Sequence, residues 1–379
     1  MSQNSLHRLH DAGQSIWLDF IDRPMLLDGT LVRRIDDDAL TGMTSNPTIF
    51  EKALAEGTAY DAQLASAGDR TPWELFELVS TDDVRRACDI FRPIYDRAKG
   101  TDGFVSIEVS PGAAHEVEST LVEARRLWQT VDRPNVMIKV PGTDAGAGAV
   151  RQLIAEGINV NITLLFSVEA HRQIIEAYLA GLEQRAAAGG DLSHVASVAS
   201  FFVSRVDSEV DARLNALAEQ TMNATERERL LACRGKAAVA NAKHAYRLFR
   251  SMFHGPRWDA LAARGAQLQR PLWASTSTKN PAYRDVMYVE QLIGPDTVNT
   301  MPPATIEAFR DHGEVQRTVD HDVEGATREL AAIEAAGVSM EAVTAKLLVD
   351  GLASFQKSFD SVLAGIEKKM RSLDAVGAK

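Results

Sequence analysis

A lysine closes the apolar pattern Asn135-Val136-Met137-Ile138-Lys139-Val140-Pro141-Gly142. In a pleated strand Val136, Ile138 and Val140 share one face, and Met137 and Lys139 the other. An ammonium at that position is either solvated at an edge or held inside for chemistry. An ordinary lysine, with a pKa of about 10.4, is a free amine in roughly one molecule in a few thousand at pH 7. A nucleophilic lysine therefore needs a partly desolvated site, which a strand end inside a fold could supply.

Three other strand-like stretches end in the same way. In Ser15-Ile16-Trp17-Leu18-Asp19-Phe20, Asp19 lies on the face opposite Ile16 and Leu18. In Phe104-Val105-Ser106-Ile107-Glu108-Val109, Glu108 lies with Ser106 and Phe104, opposite the aliphatic residues. In Asn159-Val160-Asn161-Ile162-Thr163-Leu164, Thr163 lies with Asn159 and Asn161. A lysine amine, two carboxylates and a hydroxyl form a chemically coherent set. The amine adds to a carbonyl, the carbinolamine loses water to an imine, and the protonated imine takes up the electrons of a breaking carbon–carbon bond. Asp19 could take the proton of a substrate hydroxyl, and Glu108 with Thr163 could hold the water that enters and leaves. Each residue also has a structural reading: Asp19 as a cap of the next helix, Glu108 as an ion pair with Lys139, Thr163 as an ordinary strand residue.

Apolar periodicity supplies the elements that would bring them together. Strands are expected at 15–20, 40–46, 104–109, 135–140, 159–164, 194–203, 272–277 and 297–301. Between them, helices are expected over 71–98, 115–130, 144–156 and 167 to about 188, with Thr71 and Ser167 as N-caps and Pro72 at the first helical position. Eight strands alternating with helices argue for an α/β fold, a closed (β/α)8 TIM barrel, for which about 250 residues is typical. Additional helices should account for the surplus: one at 6–13, a helical excursion over 207–264 between strands six and seven, and the tail from 305 to 379. With no Pro/Gly-rich linker, residues 1–379 read as one elaborated domain. The tail carries an amphipathic helix from near Ser339, with Val343, Leu347, Leu348, Leu352, Phe355, Phe359 and Leu363 on one face, and packing on the barrel wall is its expected role.

The composition bounds the function. The chain has 379 residues, 45% hydrophobic and 25% charged, and a formal net charge of -11. It reads as a soluble globular protein, and the acidic balance without a dense Lys/Arg run argues against nucleic acid. Cys88 and Cys233 have neither metal-ligand nor disulfide spacing. The polar start from Met1 to Gln14 lacks the apolar core of a secretory signal, so a cytoplasmic location is expected. Gly142 to Gly148 follows a strand and opens a helix, but Arg151 stands where a dinucleotide loop needs its third glycine. His7 and His10 share a helix face without a carboxylate or cysteine beside them, so no metal is expected.

The stretches Trp17-Leu18-Asp19, Thr44-Ser45-Asn46-Pro47, Ile138-Lys139-Val140-Pro141-Gly142-Thr143, Asn161-Ile162-Thr163-Leu164-Leu165-Phe166-Ser167 and Trp273-Ala274-Ser275-Thr276 together resemble the signatures of transaldolases, in their longer bacterial branch. The resemblance runs from about Trp17 to Pro303 and more weakly through Phe355 to Phe359. It implies a (β/α)8 barrel with a Schiff-base lysine on the fourth strand, and transfer of a dihydroxyacetone unit from sedoheptulose 7-phosphate to glyceraldehyde 3-phosphate in the non-oxidative pentose phosphate pathway. By the same resemblance Lys139 takes the place of the imine-forming lysine, Asp19 that of the acid/base, and Glu108 and Thr163 those of the water-holding pair. Asn46, Asn161 and Ser200 fall where the family contacts substrate hydroxyls. Arg205, just beyond the sixth strand, takes the place of a phosphate ligand. Lys279 stands where shorter members carry a second arginine, with Arg284 nearby; a lysine offers a point charge in place of a bidentate fork. No cofactor is implied, since the lysine itself is the electron sink. Sugar phosphates are the expected partners, with neither nucleic acid nor membrane, and a homodimer is the candidate assembly. The competing functions are an aldolase that releases free dihydroxyacetone from fructose 6-phosphate, and a non-catalytic sugar-phosphate-binding barrel.

Overall fold

The computed structural model describes residues 4–55 and 57–377. Eight parallel strands, each hydrogen-bonded to the next in chain order and the last to the first, close a barrel. They are β1 (Gln14–Asp19), β2 (Leu40–Thr44), β3 (Phe104–Glu108), β4 (Val136–Pro141), β5 (Val160–Leu165), β6 (Ser197–Phe202), β7 (Gln269–Ala274) and β8 (Thr297–Met301). Helices join them on the outside, which is the (β/α)8 architecture that the strand count predicted. No helix among the described residues is long and apolar enough to cross a membrane.

Strand parity sorts the side chains. The outward residues Ile16, Val105, Ile138, Val160 and Ile162 join the large apolar cluster under the helices. The inward residues Trp17, Phe104, Met137, Val198, Leu272, Ala274 and Val298 form a separate cluster inside the barrel. Trp17 fills much of that interior, with its indole N–H donating to Asp102 at 2.9 Å. It has room because its β2 neighbour is Gly42: a Cβ there would lie 2.5 Å from the indole nitrogen. The barrel is therefore a packed core below, and its upper rim carries the polar ends of the strands.

Local signals held where a cap was legible. Thr71 and Glu74 form a reciprocal capping box at the start of the helix Pro72–Arg97, and Ser167 caps Val168–Ala187. The structure differs in four places. The seventh strand runs three residues earlier than 272–277, because Ser275 turns into the left-handed region at φ 56 and ends the extended run. The polar start Gln269-Arg270-Pro271 concealed it. The excursion over 207–264 is four helices, Ser204–Gln220, Ala224–Leu231, Ala237–Met252 and Pro256–Ala262. The β1–β2 and β2–β3 connections contain the short helices Arg23–Leu27, Thr30–Asp38, Pro47–Ala55 and Asp61–Ser66, which periodicity alone did not reveal.

The fourth difference concerns the C-terminal helix, Met340–Gly377. Its apolar face does pack, with Phe359 edge-on to Phe76 and tilted against Trp73. Yet the expectation of a barrel-wall helix is corrected by its course, since Gly351, Ser354, Phe355 and Ser358 line the cavity at the barrel mouth. It is tied there by Thr48 to Ser358 at 2.8 Å, Ser361 to Glu51 at 2.5 Å and Lys369 to the carbonyl of Gly57 at 2.7 Å. Amphipathic spacing shows that a helix has a buried face but not which surface buries it.

Candidate active site

The C-terminal ends of the strands open into a cavity of about 530 Å³. Asp19, Asn46, Glu108, Lys139, Thr163, Ser200, Arg205 and Lys279 all line it, so eight of the nine residues singled out from the sequence share one space. Asn161 is the exception. It is fully buried one layer below, its carbonyl oxygen accepting from Ser200 Oγ at 2.7 Å and its amide donating to Ser106 Oγ at 3.0 Å. A larger cavity, about 870 Å³, lies at the opposite end of the barrel and includes His7, His10, Asp102 and Arg270. Its position is the face where barrel residues serve stability. His7 there is engaged by Asn4 and by the carbonyl of Asp36.

Register explains the central contact. Glu108 on β3 pairs directly with Lys139 on β4, both facing inward, so the ammonium and the carboxylate meet at 3.1 Å. The two side chains are 10% and 8% exposed. Lys139 Nζ also donates to the carbonyl of Ser45 at 3.2 Å. Burial pushes the Glu108 carboxyl above its ordinary range, Lys139 opposes that, and the charge of Asp19 adds to it. A raised carboxylate in contact with an ammonium is a competent proton acceptor for it.

Asp19 faces a different neighbour. Its pairing with Thr44 on β2 lets Thr44 Oγ1 donate to Asp19 Oδ1 at 2.7 Å, and Thr300 Oγ1 lies 2.7 Å from Thr44 Oγ1. With the Thr44 proton committed to the carboxylate, Thr300 donates to Thr44. Burial raises the Asp19 pKa, against the pull of the Thr44 hydrogen bond, Lys139 and Lys279. Neither threonine was singled out from the sequence, although both have the inward parity of their strands.

Thr163 reaches the rim by the inward parity of its strand, in register with Pro141, and an irregularity comes just beyond it. Between Ile162 and Leu165 the β5 register shifts by one residue against Ala199 to Phe201, and Leu164 sits at φ 61. A bulge of this kind bends a strand and re-aims its side chains, and a leucine in the left-handed region costs of order 1–3 kcal/mol. With Ser275, it makes two left-handed non-glycine residues among those that line the cavity. No side-chain pattern in the sequence announces either.

Asn46 accepts from the backbone N–H of Ile49 at 3.1 Å at the start of the helix Pro47–Ala55, while its side chain lines the cavity. Arg205 lies in the first turn of Ser204–Gln220, its guanidinium 5.1 Å from the centre of the Phe202 ring. Among the described residues it has neither an ion pair nor a hydrogen bond, and burial lowers its pKa, though an arginine stays charged at neutral pH. Lys279 Nζ donates to Ser277 Oγ at 2.7 Å. Arg284 lies elsewhere, its guanidinium bonded twice to Glu290 and once to the carbonyl of His312. A lysine between a carboxylate and a carbonyl, a second carboxylate across the mouth, and two cations at the rim suit covalent chemistry on an anionic carbonyl compound.

Comparison with known proteins gives a concordant result. Residues 16–366 match the family model described as transaldolase/fructose-6-phosphate aldolase. A protein of Nostoc sp. named transaldolase 2 is 46% identical over 99% of this chain and 100% of its own length. A transaldolase of Thermobifida fusca is 48% identical, covering 96% of this chain and 98% of its own. Transaldolase 1 of Streptomyces coelicolor is 47% identical over 98% of this chain and 96% of its own.

Proposed function

The chain belongs to the transaldolase/fructose-6-phosphate aldolase family and works as a transaldolase, and we propose that Lys139 is its imine-forming lysine. The observation that carries this assignment is the buried contact of Lys139 with Glu108 in a cavity that Asp19 also lines. The reaction moves a dihydroxyacetone unit from sedoheptulose 7-phosphate to glyceraldehyde 3-phosphate, yielding erythrose 4-phosphate and fructose 6-phosphate.

Glu108 takes a proton from the Lys139 ammonium, and the free amine adds to the donor's C2 carbonyl. Glu108 returns a proton to the departing hydroxyl, water leaves, and a protonated imine remains; Thr163 holds that water. Asp19 removes the proton of the C4 hydroxyl, the C3–C4 bond breaks, and its electron pair is taken up by the iminium as an enamine. The aldehyde product departs. An acceptor aldehyde is then attacked by the enamine carbon, and Asp19 returns its proton to the new hydroxyl. Water held by Thr163 gives a proton to Glu108 and adds to the imine carbon, and the carbinolamine collapses to the ketose product and the Lys139 amine, which Glu108 reprotonates. Asn46 and Ser200 contact substrate hydroxyls, and Arg205 and Lys279 hold the phosphate. Asn161 acts one layer down, fixing Ser200.

This reading includes a cytoplasmic location, supported by two buried free cysteines, Cys88 and Cys233. It includes a homodimer too, which light scattering would distinguish from a monomer. The test of the assignment is borohydride reduction in the presence of fructose 6-phosphate, followed by peptide mapping. A three-carbon adduct is expected on the peptide containing Lys139; an adduct on any other lysine sinks the mechanism.

A further inference from the structure

Lys279 and Arg205 come from different strand ends, and the structure shows how their separation is held. Arg205 is part of the helix Ser204–Gln220. Lys279 lies in the loop after β7, and that loop is fastened to the same helix on both sides of Lys279. On the near side, Ser204 donates its backbone N–H to the carbonyl of Ser275 at 3.0 Å, and the two hydroxyls are 2.9 Å apart. On the far side, Tyr283 donates to Asp211 Oδ2 at 2.5 Å and Tyr288 to Asp207 Oδ2 at 2.9 Å. Asp207 and Asp211 are one helical turn apart, so both carboxylates face the loop.

Each carboxylate is itself held from behind. Asp207 accepts from the N–H of Ala238 at 2.8 Å, and Asp211 from that of Gly235 at 3.0 Å. Gly235 is at φ 70, where a Cβ would come within 2.8 Å of the Tyr283 ring. Beneath Lys279 lies a cavity of about 250 Å³, lined by Asp207, Asp211, Tyr283, Tyr288, Asn280 and Lys279 itself. Lys279 is thus a wall between this cavity and the active-site cavity. Residues 277–285 of the loop lie partly or fully exposed over this polar space, while Val286, Tyr288 and Val289 beyond them are packed in the core, so the directional hydrogen bonds are what tie the stretch around Lys279 to the helix.

We propose that Tyr283 and Tyr288, through Asp211 and Asp207, are positioning residues that set the spacing of Lys279 and Arg205, and thereby the preference for phosphorylated sugars. The inference rests on the reading that those two cations hold the substrate phosphate. Neither tyrosine lines the active-site cavity, so their effect reaches the substrate only through the cations.

The experiment compares Tyr283→Phe, Tyr288→Phe and the double variant with the parent, using three readouts. The Michaelis constant for fructose 6-phosphate and the inhibition constant of inorganic phosphate report the cations. Borohydride trapping of unphosphorylated dihydroxyacetone reports the lysine pocket without any phosphate. In the double variant both constants should rise about three- to ten-fold, a part of what two lost phenol–carboxylate hydrogen bonds cost, since both cations keep their charge and only their placement relaxes. The turnover number should stay within about two-fold, and dihydroxyacetone trapping should be unchanged. Unchanged constants overturn the proposal, as does a loss of trapping in step with the constants, which would mark a general structural defect. Should the double variant fail to fold, Tyr283→Phe alone decides, since that ring is only half-buried. Arg205→Ala and Lys279→Ala are run alongside. If they too leave phosphate inhibition unchanged, the phosphate assignment falls and takes the inference with it; if they weaken it and the tyrosine variants do not, only the inference falls.

Discussion

Asp19 and Glu108 are both buried carboxylates raised above their ordinary range, and their partners divide their roles. Glu108 touches the lysine; Asp19 meets a chain of two threonine hydroxyls and faces the open mouth. Each must be ionised to accept a proton, so activity should be present above their shared titration and fall as the pH drops through it. Because both are raised by burial, the acid limb of kcat/KM should lie above the usual aspartate range. Asp19→Asn should lower kcat by about 10²- to 10⁴-fold and change that limb; an unaltered profile would remove Asp19 from the mechanism. Arg205 meets no anion among the described residues, so Arg205→Ala should raise the Michaelis constant for phosphorylated donors by about ten- to a hundred-fold, from a lost charged hydrogen bond of roughly 1.5–3 kcal/mol. A variant that handles these donors like the parent would reject the assignment.

The helix Val168–Ala187 contains a stability switch that the mechanism does not use. His171 is fully buried against Phe201, and its ring nitrogens meet no hydrogen-bond partner among the described residues. Burial lowers its pKa from 6.5 to about 4. The folded state therefore disfavours the proton that the unfolded chain takes up, so this stability is complete above pH 6.5 and is lost as the pH falls towards 4. Urea unfolding at pH 7.5 and 4.5 should show the parent losing about 2–3 kcal/mol more than His171→Leu. Equal losses in both proteins would show that His171 does not titrate as its burial implies. The C-terminal helix illustrates the other aspect of this scale: the i, i+4 spacing of Phe355 and Phe359 marks a buried stripe, and contacts with the helices Pro47–Ala55 and Pro72–Arg97 bring that stripe across the mouth.

For the molecule as a whole, the balance between transfer and simple cleavage depends on what surrounds the enamine. Three rings that carry no exchangeable proton, Phe20, Phe202 and Phe355, line the cavity, and the C-terminal helix covers part of it. Asp19 and Glu108 are the two carboxyl groups in its lining among the described residues, and Glu108 is engaged at Lys139, so Asp19 is the acid that faces the enamine carbon, and the intermediate should persist until an aldehyde arrives. With fructose 6-phosphate alone, one enzyme equivalent of glyceraldehyde 3-phosphate should appear and turnover should then nearly stop. Adding erythrose 4-phosphate should restore rapid formation of sedoheptulose 7-phosphate. Sustained release of free dihydroxyacetone at a rate comparable to transfer would favour the aldolase reading.

The sequence by itself determined the barrel and the inward faces of its strands, because a period-two pattern commits every side chain of a strand to one face. That parity was enough to bring Asp19, Glu108, Lys139 and Thr163 to one mouth, and the preference for hydroxyl residues at helix starts placed Thr71 and Ser167 at their caps. Only the tertiary structure decided which neighbours they meet. Register paired Glu108 with Lys139 and Asp19 with Thr44, and it left Asn161 beneath the cavity. The left-handed turns at Leu164 and Ser275, the passage of the C-terminal helix over the mouth, and the tyrosine bonds beside Lys279 were likewise settled there. These features depend on contacts between segments up to hundreds of residues apart, and local periodicity carries information about the direction of a side chain but none about the partner it will find.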